Sequence, residues 1–137
     1  MPETTRTPRE TIELFLRTAV EGTRDELADL YAPDVVIEMP FAPGGVPVTT
    51  KGQDSLRAQM NAAAGRWNFT SVDNVTVHET TDPAVLVVEY RIHGRVAATG
   101  KEFALTYIAV MRVEHGLIVS ARDYGNPDEA AALMSGE

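Results

Sequence analysis

Apolar residues recur every three or four positions in three stretches of the first half of the chain. This period predicts an amphipathic helix over residues 8–21, a shorter one over 23–31 and a third over about 53–66. Thr7 before Pro8 is typical of a helix start, because threonine accepts a backbone hydrogen bond there and proline needs no donor. A single residue separates the first two predicted helices, so they are expected to form a helical hairpin.

Runs of β-branched and alternating apolar residues predict strands in the rest of the chain. The predicted strands cover residues 35–37, 69–78, 84–96, 101–114 and 117–124. Residues 41–50 hold two prolines and two glycines, which predicts a loop at a pocket rim. The fold class is therefore expected to be α+β, with N-terminal helices packed on a strongly curved antiparallel sheet. The expected cone-shaped cavity between them is a natural place for a small ligand.

The size and composition of the chain predict a single domain over residues 1–137. Hydrophobic residues make up 44% and charged residues 23%, as in ordinary globular proteins. The net charge of -8 argues against a nucleic-acid partner, and no apolar run is long enough to span a membrane. The N-terminus lacks the apolar core of a signal peptide, so a cytoplasmic location is expected.

The strand near the C-terminus ends in three polar residues, Arg122, Asp123 and Tyr124. Strand alternation places Asp123 on the same side as Val119 and Ala121 and its two polar neighbours on the other side. A carboxylate among apolar neighbours has a raised pKa, which suits it to proton transfer. The alternative is an ordinary ion pair with an arginine.

Three further residues are candidates for catalysis. Arg91 and His93 share one strand face with Glu89, and an imidazole titrates near neutral pH. An ion-pair ladder on the outer sheet surface would explain the same pattern. Glu38 ends a short strand beside an apolar loop, where it is either a second acid or base or an exposed rim residue.

Aromatic and methionine side chains are expected in the core or the cavity wall. Their number indicates an apolar, polycyclic or polyketide-like ligand, since methionine adapts to irregular shapes. The expected substrate-binding residues are Phe15, Tyr31, Met39, Phe41, Met60, Trp67, Tyr107 and Met111. No spacing of histidines with carboxylates predicts a metal site. The apolar outer side of the long strands predicts a homodimer that pairs sheet to sheet.

The chain resembles the SnoaL-like branch of the nuclear transport factor 2-like superfamily, also called cystatin-like α+β barrels. The resemblance spans nearly all of the chain. It rests on the element order, on Leu-Tyr-Ala-Pro-Asp-Val-Val-Ile-Glu-Met-Pro at 30–40, on Lys51-Gly52 and on Arg-Asp-Tyr-Gly-Asn-Pro at 122–127. It implies the fold, while the same scaffold hosts isomerases, cyclases, epoxide hydrolases, dehydratases and binding proteins.

Three relatives differ in what the resemblance implies for the site. The positions that carry the ketosteroid isomerase machinery hold Met39, Leu16 and Ala109, so that mechanism is not expected. Similarity to limonene-type epoxide hydrolases points to Arg91, His93 and Asp123, with His93 in place of an aspartate. Similarity to polyketide cyclases points to Asp123 alone.

The leading hypothesis is a cofactor-independent enzyme that transfers protons on an apolar small molecule, as an isomerase, cyclase or epoxide hydrolase. Asp123 would be the acid–base group, Arg91 would polarise an oxygen, and His93 or Glu38 would share the proton. The alternative is a non-catalytic binding or accessory protein in which Asp123 pairs with Arg91. A protein-interaction module of the nuclear transport type is a third hypothesis.

Overall fold

The computed structural model describes residues 6–135, apart from the side chains of Met134 and Ser135. A six-stranded sheet with four helices makes up this part of the chain. In chain order the elements are α1 (Pro8–Glu21), α2 (Arg24–Ala28), β1 (Tyr31–Met39), β2 (Val48–Lys51), α3 (Gln53–Ala63), β3 (Trp67–Glu79), β4 (Val85–Val96), β5 (Glu102–Glu114), β6 (Leu117–Gly125) and α4 (Pro127–Ser135). No helix among the described residues combines the length and the apolar character that crossing a membrane requires.

The first two helices begin with the same local motif. Thr7 accepts a hydrogen bond from the backbone of Glu10, whose side chain accepts one from the backbone of Thr7, and Thr23 and Glu26 repeat the arrangement. The prediction that the second helix reaches residue 31 is wrong, because α2 ends at Ala28 and β1 begins at Tyr31. Pairing with β6 explains the early end, since Ile118 donates a backbone hydrogen bond to Leu30 and pairs with Tyr31.

The sheet order is β2-β1-β6-β5-β4-β3. Only the β1–β6 pair is parallel, and all other neighbours are antiparallel. The predicted loop over residues 41–50 is wrong at its end, where Val48–Lys51 forms the edge strand β2. Its four residues are too short to show a period of two in the sequence. The predicted α+β class, with helices on a curved sheet, is confirmed.

An irregularity in the β5–β6 pairing changes which residues face the helices. Val113 pairs with Ile118, but the preceding residue of β5 pairs with Ser120, which leaves Val119 as an extra residue on β6. Ile118, which is fully buried, therefore shares the inner side of β6 with Ala121 and Asp123. The prediction that Val119 shares this side is wrong, because the bulge shifts the alternation by one residue.

The core lies between α1 and one face of the sheet, called the inner face below. Ile12, Phe15 and Leu16 of α1 belong to the same buried cluster as Val88 and Tyr90 of β4. On the inner side α3 packs against β1 and β2. Because the sheet is curved and does not close on itself, the helices leave a hollow above the C-terminal half of β6.

Candidate active site

Asp123 lies on the inner face of β6, opposite Ala109 of β5. Ala109 is fully buried and Ala121, two residues before Asp123, is 3% exposed. Oδ1 of Asp123 is shielded from solvent and has no hydrogen-bond partner among residues 6–135. Burial without a compensating partner raises the pKa of Asp123 to about 6. A carboxyl group with this pKa can both accept and return a proton near neutral pH.

A cavity of about 220 Å³ borders Asp123. Its wall includes residues from every helix and strand except α4, and most of them are apolar. Of the residues that the structure describes, Asp123 is the only charged one in the wall, and its side chain is half-buried because it faces this space. Gln59 of α3 donates a hydrogen bond to Thr50 of β2 at 3.0 Å and closes one side of the cavity.

Three tyrosines surround the same cavity, Tyr31, Tyr90 and Tyr107. Burial raises the pKa of all three hydroxyls, and the negative charge of Asp123 raises it further. For Tyr107 the pKa is raised to about 12. The hydroxyls therefore stay protonated at neutral pH and act as hydrogen-bond donors. None of them forms a hydrogen bond with another residue in the part of the chain that the structure describes. An oxygen-bearing ligand would supply the missing partners.

Ring contacts hold these tyrosines in place. Tyr90 stacks on Tyr107 at a centroid distance of 5.4 Å, and Phe15 meets Tyr31 edge-on at 6.2 Å and Tyr90 at 6.4 Å. Gly125 gives Tyr107 the room it needs, since a Cβ atom there would lie 2.6 Å from the ring. The glycine in the Tyr-Gly pair at the end of β6 is thereby explained.

Five of the eight residues expected to bind substrate line the cavity. They are Phe15, Tyr31, Met39, Met60 and Tyr107. Three do not: Phe41 is 59% exposed and borders a smaller adjoining hollow, Met111 is buried in the core, and the Trp67 ring lies beside the guanidinium of Arg66. The aromatic and methionine pattern marks buried positions, but it does not distinguish the cavity wall from the core behind it.

The structure does not bring Arg91 and His93 together with Asp123. Both lie on the outer face of β4. Tyr90, just before Arg91, and Ile92, between the two residues, face the cavity. His93 pairs with Asp73 of β3 at 3.1 Å, and Arg91 is exposed. Both the shared catalytic site and the structural Asp123–Arg91 pair predicted from the sequence are therefore wrong. The ion-pair alternative describes His93 correctly.

Glu38 also lies away from the cavity. It is exposed on β1, next to Arg122 of β6, while Ile37 and Met39 on either side of it line the cavity. The alternative of an exposed residue is the correct one, and a proton shared between Glu38 and Asp123 is excluded by the intervening sheet.

Comparison with known proteins identifies the family. The sequence profile described as a SnoaL-like domain matches residues 12–121. The chain belongs to the SnoaL-like domain family. A PhzA/B-like protein of Pseudomonas aeruginosa, itself uncharacterised, is 31% identical over 112 residues, which cover 82% of this chain and 79% of that protein. The similarity of this SnoaL-like chain to a known relative therefore extends over most of its length.

Solved structures resemble the SnoaL-like chain over almost all of its residues. A Bacillus subtilis protein described as a candidate isomerase superposes with a TM-score of 0.84 at 26% identity, and the match covers 95% of this chain and 94% of that one. An epoxide hydrolase of the LEH-like type from M. tuberculosis has a TM-score of 0.66 at 18% identity, with coverage of 97% and 98%. The second match shows the fold alone.

Tyr90 and Gln59 are among the cavity residues of this SnoaL-like site that sequence reasoning missed. Tyr90 is the more important, since its hydroxyl and ring face Asp123 and Tyr107. The alternation of Leu86, Val88, Tyr90 and Ile92 along β4 could have revealed it as part of a buried face. Gln59 follows no such pattern and becomes visible only when α3 is placed on the sheet.

Substituting the outer-face residues tests their separation from the site. We expect Arg91→Gln and His93→Gln to change turnover by less than about twofold, because surface changes of this kind usually have small effects. Steady-state rates of the two variants and of the unaltered protein would measure this. A loss of about tenfold or more in the turnover of either variant would contradict the placement of the site on the inner face. A loss of that size is expected of a catalytic group and not of a surface residue.

No group of three His, Asp or Glu side chains is arranged to hold a metal ion within residues 6–135. The independence from cofactors that the sequence analysis expects stays a prediction. The chemistry derived below uses only the side chains of the protein.

Proposed function

We propose that the protein is an acid–base enzyme that moves a proton on a small, mostly apolar carbonyl compound bound in the cavity. The observation that carries the proposal is the buried Asp123 carboxyl group, whose Oδ1 has no partner within residues 6–135 and whose pKa is raised to about 6. A carboxylate that is held by an ion pair would be a weaker base, and no such pair with Asp123 occurs among the described residues.

The three tyrosines are suited to stabilise the negative charge that forms when the proton is removed. When Asp123 removes a proton from a carbon next to a carbonyl group, negative charge moves to the carbonyl oxygen. A hydroxyl of Tyr31, Tyr90 or Tyr107 would donate a hydrogen bond to that oxygen, which stabilises the developing charge in a site shielded from water. Return of the proton to another carbon gives an isomer. Attack by the carbanion on a second carbonyl carbon of the same molecule gives a ring, and the alkoxide that forms takes the proton back from Asp123.

Carbonyl chemistry fits the site better than epoxide opening. Ring opening by water needs a base for the water and a separate acid for the epoxide oxygen. Within residues 6–135 the cavity wall holds one carboxyl group, and Arg91, His93 and Glu38 lie outside it. The acid would therefore have to be a tyrosine hydroxyl, whose raised pKa makes it a weak proton donor. The epoxide hydrolase among the structural neighbours is therefore a guide to the fold and not to this reaction.

Deuterium exchange tests the proposal without knowledge of the natural substrate. Small β,γ-unsaturated ketones and β-keto esters would be incubated with the protein in D2O and followed by NMR. We expect exchange or double-bond migration for at least one of them, with kcat/KM rising through about pH 6 and then levelling, because the base acts in its ionised form. Binding of these ketones without any exchange would overturn the proposal and favour the binding-protein alternative.

The partners and location stay predictions. Ile108 is 45% exposed on the outer face, opposite Glu89 and Tyr124 of the neighbouring strands. An exposed isoleucine in this position supports the sheet-to-sheet homodimer.

A further inference from the structure

A second hollow, of about 380 Å³, adjoins the cavity where α1 meets α2. Ala19, Leu27 and Phe69 line both this hollow and the cavity that contains Asp123. The two spaces therefore share part of their walls. A ligand longer than the cavity would reach the second hollow, which we call the distal hollow, by displacing these apolar side chains.

Among residues 6–135, Arg24 is the one charged residue that lines the distal hollow. Its Nη2 atom donates a hydrogen bond to the backbone oxygen of Trp67 at 2.7 Å, which fixes the direction of the half-buried side chain. No acidic residue pairs with it within residues 6–135, since Asp25 binds Arg57 and Glu26 caps its own helix at Thr23. Other arginines of residues 6–135, such as Arg17 and Arg91, also lack an acidic partner, but they do not line the distal hollow.

The other polar groups of the distal hollow are neutral. They belong to Thr18, Thr23 and Asn68. The Asn68 side chain forms no hydrogen bond with a residue that the structure describes. A guanidinium group with free donors beside an amide is suited to one anionic oxygen group. A single positive charge in a protein of net charge -8 favours a carboxylate over a doubly charged phosphate.

We infer that Arg24 selects substrates that carry a carboxylate, which it binds in the distal hollow while the apolar body of the same molecule extends to Asp123. The inference rests on the proposed function for the identity of the reacting end, but the anion site itself does not. Arg24 is then a specificity-determining residue, and the substrate class is an elongated, apolar oxo acid with its reacting carbonyl group far from its carboxylate.

Calorimetry with simple chain compounds tests the anion site. Decanoate, methyl decanoate and decyl phosphate, each below its micelle concentration, would be titrated into the full-length protein. We expect decanoate to bind about tenfold or more tightly than its ester, as for one charge-assisted hydrogen bond, and decyl phosphate to bind no more tightly than decanoate. The single tryptophan of the chain lies next to this site and gives an independent fluorescence signal.

Variants assign the preference to Arg24. Arg24→Gln should reduce the advantage of decanoate over its ester to within about twofold, while Arg24→Lys keeps part of it because the charge remains. Arg17→Gln is the matched control, because Arg17 is exposed on α1 and does not line the hollow. Equal binding of acid and ester by the unaltered protein, or an unchanged preference in a folded Arg24→Gln variant, would overturn the inference. If Arg24→Gln does not fold, the ratio of decanoate affinity to ester affinity is compared between Arg24→Lys and the unaltered protein. A smaller ratio in Arg24→Lys supports the inference, and an unchanged ratio overturns it.

The same titrations separate this inference from the proposed reaction. The preference for decanoate should persist in Asp123→Asn, because that change leaves Arg24 in place. Ketone exchange that depends on Asp123, together with equal binding of acid and ester, would sink the anion site alone. A strong acid preference without any exchange would sink the proposed reaction alone.

Discussion

Replacement of Asp123 by asparagine is expected to lower the rate of ketone exchange by about 10²- to 10⁴-fold, the usual contribution of a general base. Asparagine has nearly the same shape as aspartate, but its amide does not accept a proton at neutral pH. Affinity for the same ketone should stay within about threefold, since the substitution leaves the apolar wall and the three tyrosines in place to bind the unreacted ketone. Exchange rates by NMR and affinities by calorimetry would measure both quantities.

Asp34→Asn is the matched control for this experiment. Asp34 lies on β1 and is exposed, and the substitution removes the same charge at a position outside the cavity wall. We expect unchanged exchange in this variant. Undiminished exchange in Asp123→Asn would refute the role of Asp123, whereas a parallel loss in both variants would point to the lower net charge as the cause.

The same buried carboxyl group should make the stability of the protein depend on pH. Its pKa is raised from an ordinary value of 3.8 to about 6 in the folded state by burial, and each pKa unit corresponds to about 1.4 kcal/mol. The folded chain therefore holds this proton more firmly than the unfolded chain does. The stabilisation is complete below pH 3.8 and is lost as the pH rises through about 6.

Comparison with Asp123→Asn isolates this effect. The free energy of unfolding of the asparagine variant, relative to that of the unaltered protein, should grow by about 2 to 3 kcal/mol between pH 4 and pH 7. Urea unfolding curves at pH 4, 5, 6 and 7 would measure the difference, with Asp34→Asn expected to follow the unaltered protein. A difference that does not change with pH would show that the Asp123 carboxyl group is hydrated in the folded state.

Local sequence patterns predicted most of the elements correctly. Capping by Thr7 and the apolar period predicted α1 to its last residue, and Gly116 after His115 predicted the β5–β6 hairpin, in which both residues have positive φ angles. These features depend on neighbours in sequence. The end of α2 was misplaced because Leu30 and Tyr31, which fit the helical apolar period, pair with Ile118 of the distant strand β6.

Alternation predicted which residues share a strand face, but it did not predict which face the helices cover. On β4, Arg91 and His93 share a face with Val85 and Val87, so both faces of the strand are partly apolar in sequence. Packing of α1 on the other face leaves these two residues outside. On β6 the bulge at Val119 shifts the alternation by one residue, so the inner side of the strand differs from the one that simple alternation predicts.

Most of the helices, the long strands, the family resemblance and a carboxyl group at the end of an apolar strand follow from local residue patterns. The three tyrosine neighbours of Asp123 follow only from how the elements pack together, as do the different surroundings of Arg91, His93 and Glu38. The reason is that loss of hydration, which raises the pKa of Asp123, comes from residues on several separate elements. A pattern along one strand does not contain the contacts that those distant elements make.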